Sequence, residues 1–172
     1  MPPYPLLSAL ALLTFGAMLV EARRASANER AQRARGGREP AGDVYALMRV
    51  AYPGAFLAMF GEGAWRTPPP NTVIVAGAVL FMAAKGLKWW AILSLGRFWT
   101  FRVIVVPGAR LVAGGPYRWL RHPNYVGVMG ELGGVALMTG ALVSGVVGIA
   151  AFGLLVVRRI LIEERALREA TR

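Results

Sequence analysis

The sequence predicts an all-α integral membrane protein with five transmembrane helices, of which the last two form a C-terminal helical hairpin followed by a cytoplasmic amphipathic helix. Of the 172 residues, 56% are hydrophobic, against about 45–50% in soluble domains, and the mean hydropathy is +0.48. The apolar residues are concentrated in long uncharged runs, as membrane spans require. The net charge of +11 comes from basic residues that cluster between these runs. This distribution follows the positive-inside rule, so we expect membrane lipids and no nucleic acid as partners.

The first half of the chain contains three of the predicted spans, at residues 4–20, 44–60 and 72–92. Residues 21–42 between the first two are rich in arginine and are predicted to be a cytoplasmic loop that is partly helical, whereas residues 61–71 carry a single arginine and are predicted to lie outside. The positive charges follow the first apolar run instead of preceding it. This order favours a retained helix with its N-terminus outside, and a cleaved signal peptide is the alternative.

The inner end of the third span carries two lysines next to two tryptophans. Lys85 and Lys88 precede Trp89 and Trp90. Tryptophan is enriched at membrane interfaces, and lysine can extend its ammonium group from an apolar stem into the headgroup region. We therefore expect both lysines to reach the cytoplasmic surface of the membrane.

The second half of the chain begins with a long cytoplasmic segment, residues 95–124, that we expect to lie on the membrane surface. Two apolar runs follow, residues 125–139 and 143–157, separated by Gly140. Each is close to the lower length limit for a span, and together they predict a tight hairpin that returns to the cytoplasmic side. Residues 158–172 are charged and predict the amphipathic helix. All 172 residues form one domain in a multi-pass protein, which we place in a bacterial inner membrane with a cytoplasmic C-terminus.

Two polar clusters stand at the cytoplasmic ends of this hairpin. The first is the run 115–125, Gly-Pro-Tyr-Arg-Trp-Leu-Arg-His-Pro-Asn-Tyr, which contains the single histidine, His122. Pro123 biases His122 away from helical geometry and suits the first turn of a helix. The imidazole should therefore lie at a helix N-terminus, a position that favours anions, although a simple capping role is the alternative.

The second cluster is the acidic pair Glu163-Glu164. One of these carboxylates could bind an amine or the hydroxyls of a ribose, since charge-assisted hydrogen bonds are strong in a partly dry pocket. The alternative is that they pair on the surface with Arg159 and Arg168, at the four-residue spacing of helical neighbours. If the hairpin forms, the two clusters meet in a polar pocket at the lipid–water boundary.

Two charged residues lie within predicted spans. Glu131 is about two turns into the fourth helix, and acids at such depth are rare and usually functional or paired. It predicts an active-site or packing role. Arg49 in the second helix could orient a substrate anion if it faces inward, or it could extend to the inner surface. With one histidine and no cysteine, no metal site is expected.

The run 115–125, with Arg159-Ile160 and Glu163-Glu164 downstream, resembles the isoprenylcysteine carboxyl methyltransferase family of integral membrane enzymes. The resemblance is best over residues 95–172, the part expected to bind the cofactor. It implies S-adenosylmethionine as methyl donor and a lipophilic substrate. The cofactor-binding residues that it implies are Tyr117, Arg118, Arg121, His122, Pro123, Tyr125, Glu163 and Glu164. The chain departs from some relatives at Tyr52, where they carry a histidine.

The implied reaction is an in-line displacement in which alignment of the reactants supplies much of the acceleration. A carboxylate acceptor is already ionised at neutral pH, whereas a phenol with a pKa near 10 benefits from a general base. The first candidate base is His122 and the second is Glu131, while Arg49 would orient the substrate. The acceptor, a lipophilic small molecule, would enter sideways from the bilayer. The oligomeric state is not predicted.

Three other functions fit the same residues. Phospholipid, amine or thiol methyltransferases of the same fold carry similar Arg-His-Pro runs, and so do NADPH-dependent membrane reductases of the sterol type. A catalytically silent membrane scaffold is the third possibility. The acidic pair after the hairpin and the small size of the chain favour S-adenosylmethionine over NADPH, and Arg121, His122, Glu163 and Glu164 argue against a scaffold.

Overall fold

The computed structural model describes residues 4–109 and 112–170, and within them it is all-α. Five helices are joined by loops and by two short 3-10 turns, at Gly96–Phe98 and Gly115–Arg118. The α-helices in chain order are α1 Tyr4–Ala34, α2 Tyr45–Trp65, α3 Asn71–Leu95, α4 Pro123–Thr139 and α5 Leu142–Ala170. No strand occurs in the described residues; two residues, Arg38 and Val105, form an isolated antiparallel bridge.

Two helices in the described part of the chain are long and apolar enough to cross a membrane. They are the segments Asn71–Phe98 and Leu142–Glu169, with mean hydropathies of 1.5 and 2.1. Many large apolar side chains on these helices face outward, such as Val79 on α3 and Leu154 on α5. An apolar outer surface is expected of helices surrounded by lipid. The prediction that the other three helices also span the membrane stays a prediction.

Two helices continue past their predicted ends, both where a charged segment follows an apolar run. α1 continues to Ala34, so the helical part predicted for the loop at residues 21–42 belongs to α1 itself. α5 likewise continues to Ala170, so the predicted amphipathic helix is the second half of the same helix; residues 171 and 172 lie outside the described residues. Alanine, arginine and glutamate, which are abundant in both segments, have high helix propensity. A change from apolar to charged residues marks where a helix leaves an apolar environment, not where it ends.

The helices α3 and α4 pack through glycines. A Cβ atom added to Gly77 would lie 2.8 Å from the carbonyl oxygen of Gly134, and one added to Gly134 would lie 2.8 Å from the carbonyl oxygen of Gly77. Gly127 approaches the side chain of Lys88 equally closely. Small residues let helix backbones approach in this way. The close packing fixes α4, and the His122 end of it, relative to α3.

The predicted hairpin of α4 and α5 is confirmed. Gly140 ends α4 in the left-handed conformation, with φ 66°, which glycine adopts without steric cost. Glu62 of α2 accepts hydrogen bonds from the backbone N–H groups of Val143 and Ser144 and from the Ser144 hydroxyl. These bonds, those from Ser144 above all, lower the pKa of Glu62 to about 2. The carboxylate caps the start of α5 and connects the hairpin to α2.

The described residues between α3 and α4, 96–109 and 112–122, are called the strap here. The second half of α1 holds it: the Asn28 side-chain amide donates to the carbonyls of Gly96 and Trp99, at 2.9 and 2.8 Å, and that of Gln32 donates to Arg97 O at 3.0 Å. The additional length of α1 therefore has a structural role, because it supports the strap.

Two further contacts join the strap to the loop between α1 and α2. The backbone groups of Arg38 and Val105 exchange two hydrogen bonds of 2.9 Å, and Arg102 Nη1 donates to Glu39 Oε1 at 2.7 Å. Burial alone would raise the pKa of the Glu39 carboxyl, but the hydrogen bonds from Arg102 and Arg33 outweigh that effect and lower it. The strap is therefore tied to polar residues on two other segments.

Candidate functional site

A cavity of about 340 Å³ lies between the strap and the adjoining ends of α4 and α5. This size is within the range of about 300–1,000 Å³ that is usual for small-molecule sites. The first part of the strap, residues 98–109, contributes mostly apolar and aromatic side chains, whereas its last part, residues 117–122, the start of α4 and the second half of α5 contribute polar ones. The polar lining residues from those elements are Tyr117, Arg121, His122, Asn124, Tyr125, Arg159 and Glu163.

His122 lies at the start of α4, as predicted, and meets the acidic pair. It precedes the helix with φ −130° and ψ 58°, and Pro123 is the first helical residue. His122 Nε2 is 3.4 Å from Glu164 Oε1, and the imidazole stacks on the ring of Tyr125 with centroids 5.7 Å apart. Arg121 Nη1 is 3.9 Å from the same carboxylate oxygen. The two clusters that are far apart in the sequence are therefore in direct contact.

The second carboxylate of the pair, Glu163, lines the cavity itself. The hydroxyl of Tyr125 donates to Glu163 Oε2 at 2.9 Å. Tyr117 also lines the cavity, and burial, together with the charge of Glu163, raises the pKa of its phenol above the ordinary value. Tyr117 therefore stays neutral and can donate a hydrogen bond at any pH at which the protein would work.

The expected pairing of Arg159 with Glu163 is wrong. Arg159 is buried, and its Nη1 donates to Asp43 Oδ1 at 2.5 Å while its Nη2 donates to the carbonyl of Phe101 on the strap. Asp43 also accepts from the backbone N–H of Val103 at 3.2 Å, so the carboxylate is already held in place. Arg159 therefore pairs with Asp43, which is buried and fixed, and not with Glu163, its neighbour on the same helix. By contrast, the predicted pair of Arg168 with Glu164 forms, at 3.2 Å.

Five predicted site residues do not line the cavity: Glu164, which contacts His122, Glu131, which is described below, and Arg118, Arg49 and Pro123. Arg118 is exposed, with its guanidinium 5.9 Å from the centre of the Trp119 ring. Arg49 is exposed on α2 and does not face inward, so the condition set for its role in orienting a substrate is not met. Pro123 is buried and serves to start α4.

Glu131 lies in a second group of charges, which we call the buried ion cluster: Glu21, Tyr52, Lys85, Lys88 and Glu131. Glu131 Oε2 accepts from the Tyr52 hydroxyl at 2.5 Å and is 3.0 and 3.4 Å from the two lysine Nζ atoms. Lys88 Nζ is also 2.7 Å from Glu21 Oε2. The cluster joins α1, α2, α3 and α4 and does not line the cavity. Of the two roles predicted for Glu131, this geometry matches packing.

The expected position of Lys88 at the membrane surface is wrong. Its side chain is only 2% exposed and lies among the helices of the bundle. The position of Glu131 opposite Lys88 on the neighbouring helix explains this, because an acid and a base buried together avoid the cost of two isolated charges.

Several cavity residues were not predicted from the sequence. Phe98 and Trp99 on the strap form aromatic walls, and the Trp99 Nε1–H donates to Asn124 Oδ1 at 3.3 Å. The mixture of aromatic and cationic residues at positions 97–102 indicates this part of the site in the sequence. For Arg159 the indication is weaker: it is a cation one helical turn before an acidic pair.

Comparison with known proteins identifies the family. The sequence model of the isoprenylcysteine carboxyl methyltransferase (ICMT) family matches residues 76–169, which include most of α3, the strap and the acidic pair. The chain is 32% identical over 114 residues to the uncharacterized protein YpbQ of Bacillus subtilis (strain 168), covering 66% of this chain and 68% of that protein. It is 25% identical over 122 residues to an uncharacterized protein of Haemophilus influenzae, covering 70% and 71%. No solved structure matches. The chain therefore belongs to the isoprenylcysteine carboxyl methyltransferase family, a family of membrane-associated methyltransferases that act on lipophilic substrates.

Proposed function

We propose that this protein transfers a methyl group from S-adenosylmethionine to an oxygen atom of a lipophilic acceptor, with a carboxylate as the acceptor group. The observation that carries the proposal is that His122 and Glu163 line one cavity, with Glu164 in contact with His122, within the segment that matches the family. A phenolic hydroxyl is the second acceptor to be considered.

The chemistry of the cavity residues fits the proposed donor. Glu163 offers a carboxylate for an ammonium group or for ribose hydroxyls, while Phe98 and Trp99 offer flat surfaces for a purine. Arg159 adds a buried cation whose Nε has no hydrogen-bond partner among the described residues. S-adenosylmethionine, when bound, supplies an electrophilic methyl group on a sulfonium. An aromatic, acidic and cationic lining of this kind matches each part of that molecule.

The residues of the chain would act mainly by binding and orienting. Alignment of two reactants in a dry site supplies much of the acceleration of such a displacement, and the strap shields the cavity from water. His122 is held by Glu164 through Nε2, which fixes the plane of the ring. A carboxylate acceptor has no proton to lose at neutral pH. For a phenol, His122 would be the base, since Glu131 does not line the cavity.

The acceptor would reach this cavity from the bilayer. The strap side of the cavity is lined by apolar side chains, among them Val103, Val105 and Val106, which suit a hydrocarbon tail. We further propose a bacterial inner-membrane protein with the cavity on the cytoplasmic side. Reporter tags at Gly36 and Arg172 should then both be cytoplasmic and one at Pro69 should not. A cytoplasmic tag at Pro69 would contradict this topology.

Direct binding tests the cofactor. Isothermal titration of the detergent-purified protein should show binding of S-adenosylhomocysteine and none of NADPH. Glu163→Gln should weaken that binding by about tenfold or more, or about 1.4 kcal/mol. Glu169→Gln is the matched control, because Glu169 is an exposed acid on the same helix outside the cavity; its affinity should equal that of the wild type. Binding of NADPH alone would favour a reductase, and binding of neither would favour a scaffold.

A labelled methyl group tests the acceptor. The protein is incubated with methyl-labelled S-adenosylmethionine and a bacterial lipid extract, and the labelled lipid is isolated. A methyl ester releases its label as methanol in mild alkali, whereas a phenol ether, a methylated amine or a thioether does not. Volatile label after alkali supports a carboxylate acceptor. Label that resists alkali would transfer the assignment to one of the other acceptor classes.

A further inference from the structure

The second half of α1 carries two arginines whose charges are not balanced within the described part of the chain. Arg23 and Arg30 are exposed, and neither guanidinium has a hydrogen-bond or ion-pair partner among the described residues. The two acids of the same helix are already engaged, since Glu21 pairs with the lysines of the buried ion cluster and Glu29 pairs with other arginines. Both cations are therefore available to an anion from outside the protein.

The two arginines border a groove of about 330 Å³ on α1, which we call the α1 groove. Its other lining residues are Leu19, Ala22 and Ser26. The small side chains of Ala22 and Ser26 leave space between the two guanidinium groups, and the serine hydroxyl can donate a hydrogen bond into it. Residues 19, 23, 26 and 30 follow one another at intervals of four, three and four positions, so they form a single stripe along the helix.

The stripe continues as an apolar surface toward the start of the helix. Leu19 is 64% exposed, and Leu12, seven residues earlier on the same face, is 76% exposed. An exposed apolar surface of this kind marks a contact with a membrane or a partner. α1 therefore presents an apolar surface directly next to two unbalanced cations.

The opposite face of α1 is the one that packs on the protein. Glu21, Ala25, Asn28 and Gln32 repeat the same spacing with an offset of two residues, which is about 200° around the helix. Three of these four are buried, all but Asn28, and Asn28 and Gln32 hold the strap. None of the described α1 residues lines the cavity under the strap. The α1 groove is thus turned away from the bundle and is separate from that cavity.

A phospholipid with a net negative headgroup has the complementary pattern. Its phosphate suits guanidinium groups, whose planar donors match phosphate oxygens, and its acyl chain suits the apolar surface beside them. Basic residues immediately beyond an apolar helical segment attract the anionic lipids of the cytoplasmic leaflet. A nucleic acid offers the same phosphate chemistry but has no apolar chain to cover Leu12 and Leu19.

We infer that the α1 groove binds one anionic phospholipid. Arg23, Ser26 and Arg30 contact its phosphate, and its acyl chain lies along Leu19 and Leu12. The bound lipid holds the second half of α1 at the membrane surface, and with it the strap that the opposite face of the helix supports. This role does not depend on methyl transfer, so its test is independent of the proposed function.

Native mass spectrometry of the detergent-purified, full-length protein tests the inference by counting bound lipids. Dioleoylphosphatidylglycerol is the anionic probe. Dioleoylphosphatidylcholine, which has the same acyl chains and no net charge, is the reference. The wild type should bind one phosphatidylglycerol at least about tenfold more tightly than phosphatidylcholine. In the double variant Arg23→Gln/Arg30→Gln the ratio of the two affinities should approach one.

Two further variants separate a specific site from charge alone. Ser26→Leu keeps both arginines but fills the groove, and because leucine is a good helix former the protein should fold while the ratio falls several-fold. The matched control is Arg158→Gln/Arg165→Gln, which removes two exposed arginines at the same spacing on α5. Leu161 stands between them where α1 has Ser26, and Glu169 follows Arg165 by one helical turn. This variant should retain the wild-type ratio.

Four outcomes would overturn the inference. Equal affinity of the wild type for the two lipids does so without any variant that has to fold. Equal falls of the ratio in the two double variants would mean that anionic lipid is attracted to exposed cations in general. An unchanged ratio in folded Ser26→Leu would exclude the groove as the binding site. Displacement of the bound lipid by glycerol phosphate or by a short DNA duplex would assign Arg23 and Arg30 to a soluble phosphate or to a nucleic acid instead.

Discussion

Two groups of charged side chains in this molecule contain similar residue types but have different roles. The cavity group contains His122, Arg159 and Glu163, which line a space that a ligand can fill, and Glu164, which contacts His122. In the buried ion cluster two lysines face two glutamates, and none of its members lines that cavity. The difference shows that a buried acid is not by itself a sign of catalysis. What distinguishes the two groups is whether their charged side chains line a space that a ligand can fill.

The largest expected effect comes from breaking the balance in the buried ion cluster. Lys88→Met removes a cation that contacts both Glu21 and Glu131. Removing one partner of a buried pair typically costs about 3–5 kcal/mol, so we expect this loss in the free energy of unfolding, measured by thermal or denaturant unfolding in detergent. The comparison variant is Arg49→Met, which removes an exposed cation from α2 and should change stability by about 0.5 kcal/mol or less. Equal losses of stability in Lys88→Met and Arg49→Met would mean that the buried ion cluster is hydrated and does not stabilise the fold.

A smaller effect, confined to ligand binding, is expected in the cavity group. His122→Ala should leave the protein folded with its unfolding temperature close to that of the wild type, because in the described part of the chain the ring stacks on Tyr125 and meets the partly exposed carboxylate of Glu164. Affinity for S-adenosylhomocysteine should fall about tenfold, or about 1.4 kcal/mol. If titration shows an unchanged affinity, His122 does not belong to the binding site. If the variant unfolds instead, the cavity group also stabilises the fold, and the two groups do not differ in the way proposed.

The smallest effect concerns Glu62, the acid that caps α5 at the far end of the hairpin. Its pKa is lowered from the ordinary 4.5 to about 2 by the hydrogen bonds from Ser144. The carboxylate therefore adds stability that is fully present above pH 4.5 and is lost as the pH falls through about 2. Between about pH 6 and about pH 3, the unfolding temperature of Glu62→Gln should fall less than that of the wild type. Parallel curves for the two proteins would show that the cap is not ionised in the way the geometry implies.

The meeting of the histidine with the acidic pair could be predicted from the sequence because it depends on local signals. A glycine between two apolar runs sets a hairpin, and a hairpin brings the residues before its first helix to those after its second. The partners of Arg159 and Lys88 could not be predicted in this way. Helical spacing proposed Glu163 for Arg159, yet Asp43 lies 116 residues away along the chain. Pairings of that kind depend on how the helices pack together, which neither periodicity nor charge pattern specifies.

The reciprocal contact of Gly77 and Gly134 also restricts how a lipophilic molecule can arrive. Where the two backbones are in contact, there is no side chain that could change rotamer and no groove that could hold an apolar tail. A route to the cavity between α3 and α4 would require two peptide backbones to part, so the tail has to travel around that pair of helices. The contact between α3 and α4 thus closes that side, and a route from the lipid phase is expected beside α5, the long apolar helix whose second half lines the cavity.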